Sequence, residues 1–124
     1  MSTPGTPVLP IDWLRLQFTH RPDIIAAIDA VEAAGLAEYG EPLSPSSTIN
    51  GAIATPQTAL TEALNETIDA AVYAYLVMVM VQGADEDGTP SYDPRNGPLY
   101  TAAIHLKGAI AALADAQRIA AVTL

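Results

Sequence analysis

TPQTALTEALNETIDAAVYAYLVMVMVQ, residues 55–82, reads as one long helix that begins amphipathic and ends apolar on every side. Thr55 suits the amino-terminal cap, and Pro56 suits the first helical position, where a missing N–H leaves nothing unpaired. Leu60, Leu64, Ile68, Ala71 and Tyr75 follow at steps of three or four and predict one apolar face. Glu62, Glu66 and Asp69 keep the same step on another face. Beyond Asp69 the run AAVYAYLVMVMV has no polar side, so it is expected to be enclosed by other helices.

Two more helices are expected around this one. Pro22–Tyr39 opens with proline in its first turn and Asp23 at the positive end of the helix dipole. Ile24, Ile28, Val31 and Gly35 mark its apolar stripe, and Gly35 suggests an early end or a close approach. The third helix spans residues 98–122, with Asn96 or Gly97 as its cap. Leu99, Ala103, Leu106, Ile110, Leu113, Gln117, Ala120 and Leu124 recur at steps of four and three, a heptad seam interrupted only by Gln117. Beside it runs a row of mostly small residues, Thr101, His105, Gly108, Ala112 and Ala116, of the kind that lets helices approach closely.

Together these elements predict a mainly α protein. The expected architecture is a three-helix bundle over residues 22–124, with helices near 22–39, 55–82 and 98–122. An extended, proline-rich amino-terminal arm covers residues 1–21. Two long loops, 40–54 and 83–98, complete the chain, and a minimal β element is expected near 14–18 or 48–54. Leu14, Leu16 and Phe18 alternate with polar residues, as a short strand would, although Pro10 and Asp12 equally suit a helical turn. Asn50-Gly51 between Ile49 and Ile53 is a hairpin signal with arms so short that a tight turn is expected rather than a stable ribbon.

The chain has 124 residues, no cysteine and a formal charge of −9. That length suits one domain with a core of its own. Without cysteine, disulfides and thiolate metal sites are excluded. No Lys or Arg occurs between Arg21 and Arg95, an interval that holds twelve carboxylates. Nucleic-acid binding needs a basic surface to displace counterions, so nucleic acid is set aside as a partner. Charged residues are 15% of the chain, below the usual share of about 25%. A small protein with so few charges leaves weakly polar surface wet unless other chains cover it. No secretion signal is read at the amino end. The apolar run 70–81 is shorter than a bilayer requires, so no membrane partner is expected, and the location is expected to be cytoplasmic or virion-associated.

Chemistry-bearing constellations are few. Asp85, Glu86, Asp87 and Asp93 crowd one loop, yet lack the alternating ligands and terminal glutamate of a calcium loop, so solvation is the expected role. Carboxylates within a bundle hold two irons only alongside Glu-x-x-His, which neither His20 nor His105 supplies. No nucleophile motif or phosphate-cradling loop is present. The expected function is therefore a non-enzymatic structural or assembly subunit without cofactor or metal. It forms a homo-oligomer or docks on a larger assembly, such as a phage virion as a capsid or connector accessory protein. Leu99, Ala103, Leu106, Gly108, Ile110, Ala112, Leu113 and Leu124 are the expected interface. The alternative is a small helical module that binds a ligand or sequesters a protein, with Tyr73, Tyr75, Met78 and Met80 lining a pocket.

Overall fold

The structure, a computed structural model, describes residues 8–41, 44, 47–49 and 51–123. It is mainly helical, with one minimal β-hairpin among the described residues. The chain divides into two compact units, Met1–Ala54 and Thr55–Leu124.

In the first unit, helix α1 spans Pro10–Leu16 and helix α2 spans Pro22–Tyr39. α1 replaces the strand expected near 14–18 and occupies part of the expected arm, whose residues 1–7 lie outside the described ones. The physical reason is local. Pro10 takes the first helical turn, and Asp12, at the positive end of the dipole, accepts from Arg15 Nη1 at 2.7 Å, one turn on. Arg15 also ties α1 to α2, through Asp29 at 2.9 Å and Glu32 at 2.6 Å. Ile28 is the buried member of the α2 stripe, whereas Val31 is exposed. The helix runs through Gly35, where an added Cβ would meet open space, so this glycine neither ends the helix nor serves a close approach. It stops at Gly40, whose left-handed φ of 78° favours glycine and whose N–H reaches the Leu36 carbonyl.

The hairpin pairs β1, Thr48–Ile49, with β2, Ala52–Ile53, in the antiparallel register Thr48↔Ile53 and Ile49↔Ala52. Gly51 adopts the positive φ that a two-residue turn demands. Asn50 lies outside the described residues. The Ala54 N–H extends the pairing to the Ser47 carbonyl at 2.8 Å, which gives so short a ribbon an extra rung.

The second unit is a helical hairpin. Helix α3 spans Pro56–Gln82, capped as expected: the Thr55 hydroxyl accepts from Thr58 N–H, and the Thr58 hydroxyl accepts in return from Thr55 N–H. Helix α4 spans Gly97–Thr123 and is entered through a 3-10 turn, Pro94–Asn96, capped by Asp93. α4 thus begins one residue before the expected Pro98, because the 3-10 turn carries the chain directly into it. α3 and α4 pack antiparallel. Gln57 Nε2 meets the Ala120 carbonyl at 3.3 Å, and Gln117 Nε2 meets the Thr61 hydroxyl at 2.6 Å.

The face of α3 that meets α4 keeps Leu60, Leu64 and Ala71 of the expected one and differs from it at Ile68 and Tyr75. Gln57, Leu60, Leu64, Thr67, Ala71, Ala74 and Met78 are shielded, at steps of three and four, and Met78 is 7% exposed. Ile68 and Tyr75, placed on the packing face by the sequence, are exposed flank residues. Thr67, Ala71 and Ala74, small residues that suit close helix packing, are shielded on this side. By length and composition α3 is also able to cross a membrane, contrary to the expectation drawn from residues 70–81 alone. Mostly buried core helices of soluble proteins pass the same test, and a single such helix does not by itself mark a membrane protein.

Candidate functional site

The α4 seam is spent inside the chain. Leu99, Ala103, Leu106, Ile110, Leu113 and Gln117 are part-shielded, and Ala120 is buried. These are the positions that share the α3-facing side. Gly108 and Ala112 lie on exposed surface of α4, and the space where a Gly108 Cβ would stand is open. Leu124 lies outside the described residues. Of the eight residues of the expected interface, five thus lie on the α3-facing side and two, Gly108 and Ala112, face outward.

The larger apolar surface is on α3. Val72, Tyr73, Tyr75, Leu76, Val77, Met80 and Val81 are between 43% and 74% exposed. Of the eighteen most apolar consecutive residues of this helix, 6% are buried. Within this unit α4 encloses one side of the all-round apolar segment. At about 100° per residue, Glu62, Glu66, Asp69, Tyr73, Leu76 and Met80 fall on one line, opposite the side that meets α4. Their spacing alternates between four and three. This second heptad line is acidic in its first half and apolar in its second. In the sequence its two halves read as a carboxylate column and as part of a Tyr/Met stripe; the common spacing is the signal that joins them.

The four residues of the alternative pocket divide between two sides of α3. Met78 faces α4, and Tyr75 beside it donates its hydroxyl to the Gly88 carbonyl at 2.9 Å. Tyr73 and Met80 lie on the outer line, exposed.

The loop between the helices is tied down by its own hydrogen bonds. Gln82 Nε2 donates to the Ser91 carbonyl and, at 2.6 Å, to the Tyr100 hydroxyl. That hydroxyl also accepts from Asp93 N–H and donates to the Ser91 carbonyl. Asn96 Nδ2 donates to Gln82 Oε1 at 2.9 Å, and the Tyr92 ring lies 5.2 Å from that of Tyr100. The loop carboxylates serve the loop. Asp85 accepts from the Ser91 hydroxyl, Asp87 from the Thr89 hydroxyl and N–H, and Asp93 from the Arg95 guanidinium and N–H. The Thr89 hydroxyl and N–H hold the Asp87 carboxyl below its ordinary pKa, and Arg95 does the same for Asp93. Among the described residues no three His, Asp or Glu side chains gather as a metal site. His20, in the turn after α1, and His105, on α4, are both exposed.

The site that this geometry builds is a surface, apolar on the distal half of α3 and acidic on the proximal half. Its spacing suits another helix. No family model, curated protein or solved structure matches this chain.

Proposed function

We propose that this chain is a non-enzymatic assembly subunit that associates with copies of itself through the exposed distal half of α3. The observation that carries the reading is that exposure, seven large apolar or aromatic side chains on one helix. Soluble monomers rarely leave an apolar patch of more than a few hundred Å² uncovered. In this reading the α4 seam holds the subunit together and the outer surface joins subunits. Helices of neighbouring copies complete the bundle expected from the sequence. Gly108 and Ala112 on the outward side of α4 add a smooth secondary surface.

A helix partner fits this surface better than a bilayer does. Glu66 and Asp69 lie on the same line as Tyr73 and Leu76, and carboxylates are costly in hydrocarbon. An Ala-rich acidic chain with one lysine, no cysteine and three prolines in its first ten residues suits a virion component, such as a phage capsid or connector accessory protein, working in the host cytoplasm or in the particle. This last step is analogy of composition. The ligand-binding alternative draws no support from a Tyr/Met quartet divided between two sides of a helix.

Light scattering after size-exclusion chromatography tests the proposal. The unaltered chain is expected to run as an oligomer at tens of micromolar. The double variant Leu76→Ser, Met80→Ser is expected to run as a monomer with its helical circular dichroism intact. An unaltered chain that is monomeric at that concentration overturns the reading.

A further inference from the structure

We infer that α1 is a strap, clasped onto α2 by the Arg15 guanidinium and opening ahead of the rest of its unit. The device lies outside the surface proposed for self-association and does not depend on it. α1 has seven residues, and none of them is buried. A helix that short does not persist alone in water, so α1 is helical only while docked. It packs on α2. Its docking side carries Ile11, Arg15 and Phe18, spaced by four and three and all part-shielded. Trp13, Leu14 and Leu16 are exposed, so the helix commits little apolar area to the contact.

The polar share of that contact is concentrated in one side chain. Arg15 donates Nε to Asp29 at 2.9 Å and Nη2 to Glu32 at 2.6 Å, both on α2, while Nη1 reaches Asp12 of α1 itself at 2.7 Å. Among the described residues, Arg15 alone ties α1 to α2 by a side-chain bond. The Glu32 carboxylate takes both arms of the guanidinium fork, and the two side chains are only 23% and 28% exposed. A forked, partly desolvated pair contributes where a lone wet one does not. With so short a helix and so little apolar contact, that pair decides whether α1 stays down. Three carboxylates share one guanidinium. Without Arg15, Asp12 on α1 faces Asp29 and Glu32 on α2 with nothing between them, and like charges push the strap away. Asp29 follows Ile28, the buried residue of α2, so an open strap wets the middle of the α2 stripe.

Amide hydrogen exchange of the full chain, followed residue by residue, tests the clasp. The N–H groups of Trp13, Gln17 and Phe18 bond to the carbonyls of Leu9, Leu14 and Arg15, so they exchange when the strap opens. They are expected to exchange faster than the amides of residues 27–34 in α2. Arg15→Gln is expected to speed them by about tenfold and to leave α3 and α4 unchanged. Glu32→Gln alone is expected to speed them less, because Asp29 still holds Arg15. In the Arg15→Gln chain the same Glu32→Gln change removes a repelling charge and no bond, so it is expected to slow exchange or leave it as it was.

Further acceleration by Glu32→Gln in that background overturns the clasp. Unchanged α1 rates in Arg15→Gln also overturn it, because the apolar contacts then hold the helix without the ion pair. If the amides of α1 and of residues 27–34 speed up by the same factor, the unit opens as one body and α1 is no strap.

Discussion

Gln117 of α4 donates its side-chain amide to the hydroxyl of Thr61 on α3 at 2.6 Å. The one strongly polar residue in the α4 seam thus has a partner on the facing helix, one of two side-chain bonds between the helices that are consistent with the antiparallel register. Gln117→Ala is expected to cost about 1 kcal/mol or less, since the pair is exposed. Thermal unfolding followed by circular dichroism measures it. No change in melting temperature would show that the bond contributes nothing.

Leu106 and Ile110 belong to the seam against α3, so aspartate there attacks the subunit itself. Leu106→Asp is expected to unfold the hairpin, with loss of helical signal at every protein concentration. Milder truncation, Leu106→Ala, is expected to cost about 1–2 kcal/mol, less than at a fully buried site because Leu106 is part-exposed. Retained helix in Leu106→Asp, with a change only in oligomeric state, would return the α4 seam to the role of an intermolecular surface.

Gly35 lies inside α2 with nothing near its missing Cβ. Gly35→Ala removes unfolded-state freedom without a clash and is expected to stabilise by about 0.5–1 kcal/mol. Urea denaturation reads the change. Destabilisation would reveal a neighbour packed at that point.

The Tyr100 hydroxyl joins Gln82, Ser91 and Asp93. Tyr100→Phe keeps the ring against Tyr92 but strips those bonds, and is expected to cost about 1–2 kcal/mol. Amide hydrogen exchange in residues 84–93 is expected to rise while that of mid-α4 stays unchanged. Uniform protection across both would mean that the hydroxyl does not hold the loop.

Acid pH has a defined effect. Asp23, Asp87 and Asp93 all have folded pKa values below the ordinary one, held there by Arg21, by Thr89 and by Arg95 respectively. A depressed folded value means that the unfolded chain binds protons first, so the contribution to stability is present above about pH 3.9 and fades as pH falls through the folded values. None of the three groups is buried, so the loss is small. Carboxyl chemical shifts on titration are expected to give midpoints for these residues below the ordinary aspartate value. A midpoint for Asp93 at or above that value would break its pairing with Arg95.

The chain's own sequence determined where the long helices run, because their signals are local. Pro22, Thr55 with Pro56 and the Asn96–Pro98 segment mark starts, Gly40 marks a stop, and each lies within a residue or two of the observed boundary. The α4 seam was legible for the same reason: a heptad broken only by Gln117 still has one apolar side. At Pro10–Leu16 the sequence left strand and helical turn open, since alternation over five residues looks alike in both until Arg15 finds Asp29 and Glu32 on α2. Tertiary structure alone decided which side of α3 turns inward. Apolar content favoured Ile68 and Tyr75, but the small Thr67, Ala71 and Ala74, which suit close helix packing, are the shielded ones. Packing volume, which no single helix encodes, left the apolar side chains of the distal half of α3, Val72 to Val81, exposed.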